Sequence, residues 1–446
     1  MPEQMSLLSV SAWRVRLVLW LGAIIIGVVA AFFAWSGDWV EIARNHLFQQ
    51  YPWLPWIVTP LGIMIAVWIT RHWAPGARGS GIPQAIAALQ NSDERYRLKL
   101  LSFRIAFWKL VLTLLGLFSG ASIGREGPTV HIGASVMFRL GRFARFPHHL
   151  LERGLILAGG AAGISAAFNT PLAGIMFAIE EMARSFEERS SGAVLTAVLL
   201  AGVIAVALLG NYTYFGNTDV SIGSATAWLA VPLCGIAGGL LGGLFSITLI
   251  QGSRRLVPII KRAPMRLAFL AGLLLAAMGI WTEGASFGSG YHHAKDILTG
   301  ASDSGLEFSV AKIFATWVSY FTGIPGGIFA PSLAAGAGLG SELAPLVPAT
   351  PVAAMVILGM VAYFTGVVQT PITAAMIVME MTANPSMVLP ILGTAFIALG
   401  TSKLLCRNTV YWSLAEDLLE KQEARRDKGN GPPSPDEGTE RPPRGS

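Results

Sequence analysis

Two carboxylates stand in sequence where a charge is costly. Glu126 lies inside Gly124-Arg125-Glu126-Gly127-Pro128, and Glu181 follows Glu180 at the end of the uncharged stretch 154–179. In bilayer-length apolar sequence an ionisable side chain costs roughly 3 kcal/mol even on the milder insertion scales, so it normally has a purpose. Pro128 suits the first turn of a helix, and the flanking glycines permit close approach. Glu126 is therefore predicted at a helix N-terminus, where free N–H groups and the helix dipole favour negative charge. An anion takes the same place when the carboxylate is protonated or withdrawn. Adjacent residues rarely face each other, so a simple Arg125–Glu126 pair is not expected. Glu180 and Glu181 also admit a plainer role as a solvated helix end.

Two further broken turns supply donors without charge. Gly326-Gly327-Ile328-Phe329-Ala330-Pro331 offers the backbone N–H groups of Ile328 and Phe329, and Gly79-Ser80-Gly81-Ile82-Pro83 adds a hydroxyl. Three such elements suit a weakly basic monovalent anion, because neutral donors bind it without a well too deep to leave. A rival chemistry is nucleophilic: Gly120-Ala121-Ser122-Ile123-Gly124 matches G-x-S-x-G. That motif needs a strand before it and a histidine base close in space. The preceding run, 105–118, reads as a membrane helix, and His131 is the one plausible base, so a hydrolase is disfavoured.

The elements that position these residues come in two copies. Phe118 to Pro128 is answered by Phe321 to Pro331 at an offset of 203 residues. Asn169-Thr170-Pro171 is answered by Gln369-Thr370-Pro371, and Glu180 by Glu380, at an offset of 200. Matching Gly- and Pro-interruptions in corresponding halves of a membrane protein mark a duplicated transporter, with its site where broken helices expose their ends.

Composition places the chain in a bilayer. Only 13% of residues are charged, against roughly 25% in a soluble domain. The stretches 154–179, 190–218, 220–253, 313–341 and 343–379 carry no charge, and each exceeds the ~20 residues that cross ~30 Å of hydrocarbon. Apolar blocks fall near 15–35, 53–70, 105–123, 154–180, 193–210, 226–250, 267–281, 310–341, 352–380 and 386–405. The first is too long for a signal peptide and reads as an uncleaved span. The Gly- and Pro-rich breaks in 154–180 and 310–380 predict a protein-lined interior, since irregular backbone does not face lipid. The formal charge of +6 sits beside apolar blocks, as in Arg139, Arg142 and Arg145, a pattern of membrane orientation rather than nucleic-acid binding. Cys234 and Cys406 cannot build a disulfide framework. Residues 1–11 read as a polar lead, 12–422 as one membrane domain with halves near 12–212 and 222–422, and 423–446 as a disordered polar tail.

GSGIP at 79–83, GREGP at 124–128 and GGIFAP at 326–331 resemble, in order and spacing, the three anion-site signatures of the chloride channel and transporter (CLC) family. The similarity continues through Ala166 to Pro171 and Glu180-Glu181-Met182, and covers the chain from the first span to Gln422. The resemblance implies an all-α polytopic membrane fold of two inverted repeats, assembled as a homodimer with one pore per subunit in the plasma (inner) membrane, both termini cytoplasmic. It implies that Ser80 and Tyr411 bind chloride through hydroxyls and Ile328 and Phe329 through backbone N–H groups. Glu126 matches the gating glutamate on the extracellular side. Glu181 falls where exchangers keep an internal proton-transfer glutamate, which makes coupled chloride–proton exchange the expected function and a passive channel the alternative. Neither cofactor nor metal is implied, with chloride as bound substrate. Gln84 departs from the glutamate that commonly follows GSGIP, and Thr322 and Ile324 from the usual Ser-Gly-Ala-Pro lead.

Overall fold

The computed structural model describes residues 10–144, 149–184, 188–210, 213–302 and 305–429. Among them the chain is helical, with two isolated backbone bridges, Gly79 to Pro325 and Gly124 to Gly327. Six helices are long and apolar enough to cross a membrane, and large apolar side chains such as Leu404 (79% exposed) and Leu389 (71%) face outward. An outward apolar surface around a packed interior is the arrangement a lipid solvent imposes.

The first helix, Val10–Gln50, has 41 residues rather than the twenty or so expected near 15–35. At 1.5 Å per residue it is about 62 Å long, twice the hydrocarbon thickness. Its charged second half did not end it because those charges are paired or enclosed: half-exposed Asp38 pairs with buried Arg125 at 2.9 Å, and Glu41 and Arg44 are buried. The helix also starts two residues inside the stretch assigned to a polar lead; the residues before Val10 lie outside those described. The last helix, Val410–Gly429, similarly runs past the expected boundary at 422, and the remaining tail residues, 430–446, lie outside those described.

The predicted breaks are present. The block 310–341 divides into helices Leu306–Thr322 and Phe329–Leu343, separated by the turn 323–328. The block 154–180 divides at Asn169 into His149–Phe168 and Pro171–Phe177, the latter passing into a π-helical turn, Ala178–Ala183. Asn169 (φ 57°) and its repeat counterpart Gln369 (φ 61°) both take the left-handed conformation that turns the chain into the next helix. In each half the long re-entrant helix packs on its successor through glycine. A side chain at Gly133 would strike the backbone of Gly159, and one at Gly336 the backbone of Gly359, so helices Glu126–Phe143 and Phe329–Leu343 approach their partners to backbone distance. This is the small-residue packing that replaces hydrophobic drive inside a membrane.

The halves also cap each other. Glu180 accepts from the N–H groups of Ile372 (3.2 Å) and Thr373 (2.7 Å) and the Thr373 hydroxyl (2.8 Å), at the start of helix Pro371–Thr382. Glu380 accepts from the N–H groups of Leu172 (3.1 Å) and Ala173 (2.8 Å), at the start of Pro171–Phe177. Each glutamate thus satisfies the otherwise unpaired first-turn donors of the other half's helix.

Candidate anion and proton site

Three helices begin at the three motifs: Ile82–Gln90 after Gly81, Glu126–Phe143 after Arg125, and Phe329–Leu343 after Ile328. Backbone hydrogen bonds stitch their leading turns together. Gly124 N–H donates to Gly327 O at 2.8 Å and Gly327 N–H returns to Gly124 O at 2.7 Å, while Gly79 N–H reaches Ile324 O at 3.3 Å. First-turn N–H groups have no acceptor within their own helix, so their convergence makes a place for negative charge built from neutral donors.

The expected residues meet there. The Glu126 carboxylate is wholly buried, neither oxygen with a hydrogen bond of good geometry. Backbone N–H groups of Glu126 itself and of Ala330 face it, one from each half. Arg125 does not pair with Glu126; its guanidinium donates to Ala34 O at 2.6 Å and Asp38 at 2.9 Å, which pins the motif to the first helix. The Ser80 hydroxyl is buried, and a side chain at Gly127 would collide with it, so the first and second motifs are in contact. Tyr411 is fully buried with its hydroxyl facing that of Ser80, and its ring lies 5.7 Å from that of Phe329. Phe329 also packs against Phe364 (4.8 Å) and Phe177 (6.2 Å). These rings enclose the donors and keep out water, which strengthens every electrostatic contact inside.

Glu181 lies in the π turn, 1% exposed, with neither carboxylate oxygen partnered, so the solvated helix end is excluded. Trp412, next to Tyr411, donates from its indole to the Glu181 carbonyl at 2.7 Å, and Arg184 covers the Trp412 ring at 4.0 Å. Buried carboxylates without fixed partners can change protonation without dismantling a network. Gln84, despite departing from glutamate, anchors its helix by donating to Arg78 O at 2.6 Å.

The hydrolase constellation is not assembled. Ser122 shares a hydrogen bond with Thr316 at 2.9 Å, and His131 Nε2 bonds the carbonyl of Leu100 at 3.0 Å. Sequence reasoning missed the aromatic wall contributed by Phe364 and Phe177. Their signal was weak because one aromatic in an apolar helix reads as ordinary packing.

The sequence profile described as voltage gated chloride channel matches residues 62–403. The H(+)/Cl(-) exchange transporter ClcA of Klebsiella pneumoniae is 30% identical, over 92% of this chain and 90% of its own. The protein of the same name from Salmonella typhimurium is 30% identical, over 95% of this chain and 93% of its own. Among solved structures, a slow cyanobacterial Cl-/H+ antiporter is similar with a TM-score of 0.79 and 26% identity, covering 92% of this chain and 99% of that one. A CLC-type fluoride/proton antiporter, at 22% identity, shares the fold with a TM-score of 0.77, covering 90% and 97%. With the matched segment spanning both halves and all three glycine-rich motifs, the chain belongs to the voltage-gated chloride channel (CLC) family.

Proposed function

We propose that the chain exchanges chloride for protons across the membrane, with Glu126 competing for the anion place. The observation that carries this is the second buried carboxylate: Glu181, like Glu126, is fully enclosed, and neither of its oxygens has a hydrogen-bond partner. A passive chloride path needs donors and a gate, but it has no use for a second desolvated acid. The names of the exchangers it resembles point the same way.

Deprotonated Glu126 occupies the anion place among the helix starts. On taking a proton it loses the charge that holds it there, and chloride enters. Ser80 and Tyr411 donate hydroxyl hydrogens and Ile328 and Phe329 their N–H groups to the ion, which leaves because no lysine or arginine traps it. Glu181 receives protons from the inner side and passes them toward Glu126. Chloride is cargo here, and the cycle needs no cofactor or metal. By family analogy the protein works as a homodimer in the plasma (inner) membrane of its cell, both termini cytoplasmic.

The test is purified protein in chloride-loaded liposomes, with chloride efflux and external pH followed together. Exchange requires protons to move inward against their own gradient as chloride leaves. Chloride efflux with no proton movement in the parent protein would leave a channel.

A further inference from the structure

A serine between two left-handed glycines, at the start of a nine-residue helix, occurs twice. Gly79 (φ 71°), Ser80 and Gly81 (φ 110°) lead into Ile82–Gln90; Gly288 (φ 65°), Ser289 and Gly290 (φ 79°) lead into Tyr291–Thr299. Positive φ at both flanks is a conformation that glycine adopts without strain. A buried lysine holds each loop from behind, the two related by the repeat offset of 203 residues. Lys109 Nζ donates to Gly79 O at 2.9 Å. Lys312 Nζ donates to Gly288 O at 2.7 Å and to Ser286 O at 3.1 Å.

The two loops differ in what faces the serine. The Ser80 hydroxyl faces that of Tyr411, with no carboxylate seated on it, and belongs to the proposed anion site. At Ser289 a carboxylate is seated: the N–H donates to Glu41 Oε1 at 2.7 Å and the hydroxyl to Glu41 Oε2 at 3.2 Å. Glu41 follows Asp38 by one turn of the first helix, and Asp38 pairs with Arg125, so this second loop lies at the end of the molecule that carries Glu126. Arg44, a further turn along, is buried and donates to Leu117 O at 2.8 Å. Glu41 is the carboxylate whose charge both Arg44 and Lys312 feel. A Cβ on Gly288 would meet Arg44 Nη1 and Glu41 Oε1, each at 2.6 Å, so cation and carboxylate close on the same loop. A cavity of about 710 Å³, lined by Glu41, Arg44, Gly290, Tyr291 and His292 among others, brings the medium up to the Glu41 carboxylate that covers Ser289.

We propose that Gly288-Ser289-Gly290 is a second anion cradle, and that Glu41 is its built-in occupant. Glu41 is then a specificity-determining residue: it closes this cradle to free halide and leaves the Ser80 loop as the one of the pair open to an anion. The occupant it excludes is a small monovalent anion, a halide or formate, able to accept from one N–H and one O–H. The assignment does not depend on whether protons are coupled to chloride.

The test compares purified parent, Glu41→Ala and Glu41→Gln proteins by calorimetric titration with bromide from halide-free buffer, and by bromide-soaked crystals. Glu41→Ala should take up one more bromide per subunit than the parent, with an anomalous peak at hydrogen-bond distance from the Ser289 nitrogen. Its melting temperature should also rise more steeply with bromide, as expected of a ligand that binds only the folded state. Glu41→Gln, whose amide refills the cradle, should gain no site. Equal bromide uptake by parent and Glu41→Ala overturns the proposal. Should Glu41→Ala be unrecoverable in halide-free buffer, recovery in bromide or formate but not in gluconate supports it, and failure in all three overturns it.

Discussion

The two halves share a skeleton and divide the chemistry. Both break a helix ahead of a re-entrant helix, both pack that helix through glycine, and both send a glutamate to cap the other's partner helix. At the repeat offsets, however, Glu126 is answered by Phe329, and Glu181 by Met381. The two buried carboxylates, to which we assign proton transfer, belong to the first half alone, and the second contributes helix-start N–H groups and an aromatic wall. Duplication therefore explains where the site is, and departure from duplication explains what it does.

That contrast can be broken most severely at the two acids. Glu126→Gln and Glu181→Gln should each reduce proton movement at least a hundredfold in the liposome assay while chloride still flows. Placing a carboxylate at the second-half position, Met381→Glu, should not restore proton movement to Glu181→Gln, because the regular helix Pro371–Thr382 lacks the π turn that carries Glu181. Restoration would mean that the halves are functionally interchangeable.

Next in size are the close packing points. Gly133→Ala and Gly336→Ala each force a Cβ onto facing backbone, and overpacking of that kind costs about 1–3 kcal/mol. The two should lower thermal stability in detergent by similar amounts. A large difference would show that one half bears more of the folding energy.

The smallest effect is expected at the reciprocal caps. Glu180→Ala and Glu380→Ala each remove a carboxylate from a helix start, a loss of about 1 kcal/mol. Melting temperatures should fall slightly and equally, with proton coupling retained in both. Loss of coupling in Glu180→Ala alone would assign Glu180 a share of the proton path beyond capping.

The parts legible in the sequence are those where backbone necessity leaves a mark on residue type. Gly and Pro at 79–83, 124–128 and 326–331 announced broken helices because few other residues permit those turns, and the 203- and 200-residue offsets announced the repeat. Glu126 and Glu181 were legible because a charge in apolar sequence demands a reason. Glu41 was not, since it follows the apolar block 15–35 among other charges, and only the fold turns Glu41 and Arg44 inward. The Ser289 loop escaped notice for a different reason. Its offset from Ser80 is 209 rather than 203, and Tyr291 stands where the first copy has Ile82. The partner of Arg125 was likewise invisible, because a contact across 87 positions leaves no local pattern.

The reciprocal bridge between Gly124 and Gly327 has an evolutionary consequence. It joins the two halves at the site by main-chain atoms alone, so replacements at the surrounding residues leave both donors and both acceptors in place. A change of side-chain chemistry at Ser80 or Tyr411 then alters what an ion meets, within the space their close packing allows, over a seam that holds its dimensions. Such a seam lets a lineage explore new cargo by single substitutions while keeping the scaffold intact, which makes the anion path evolvable at the very place where it is most rigid.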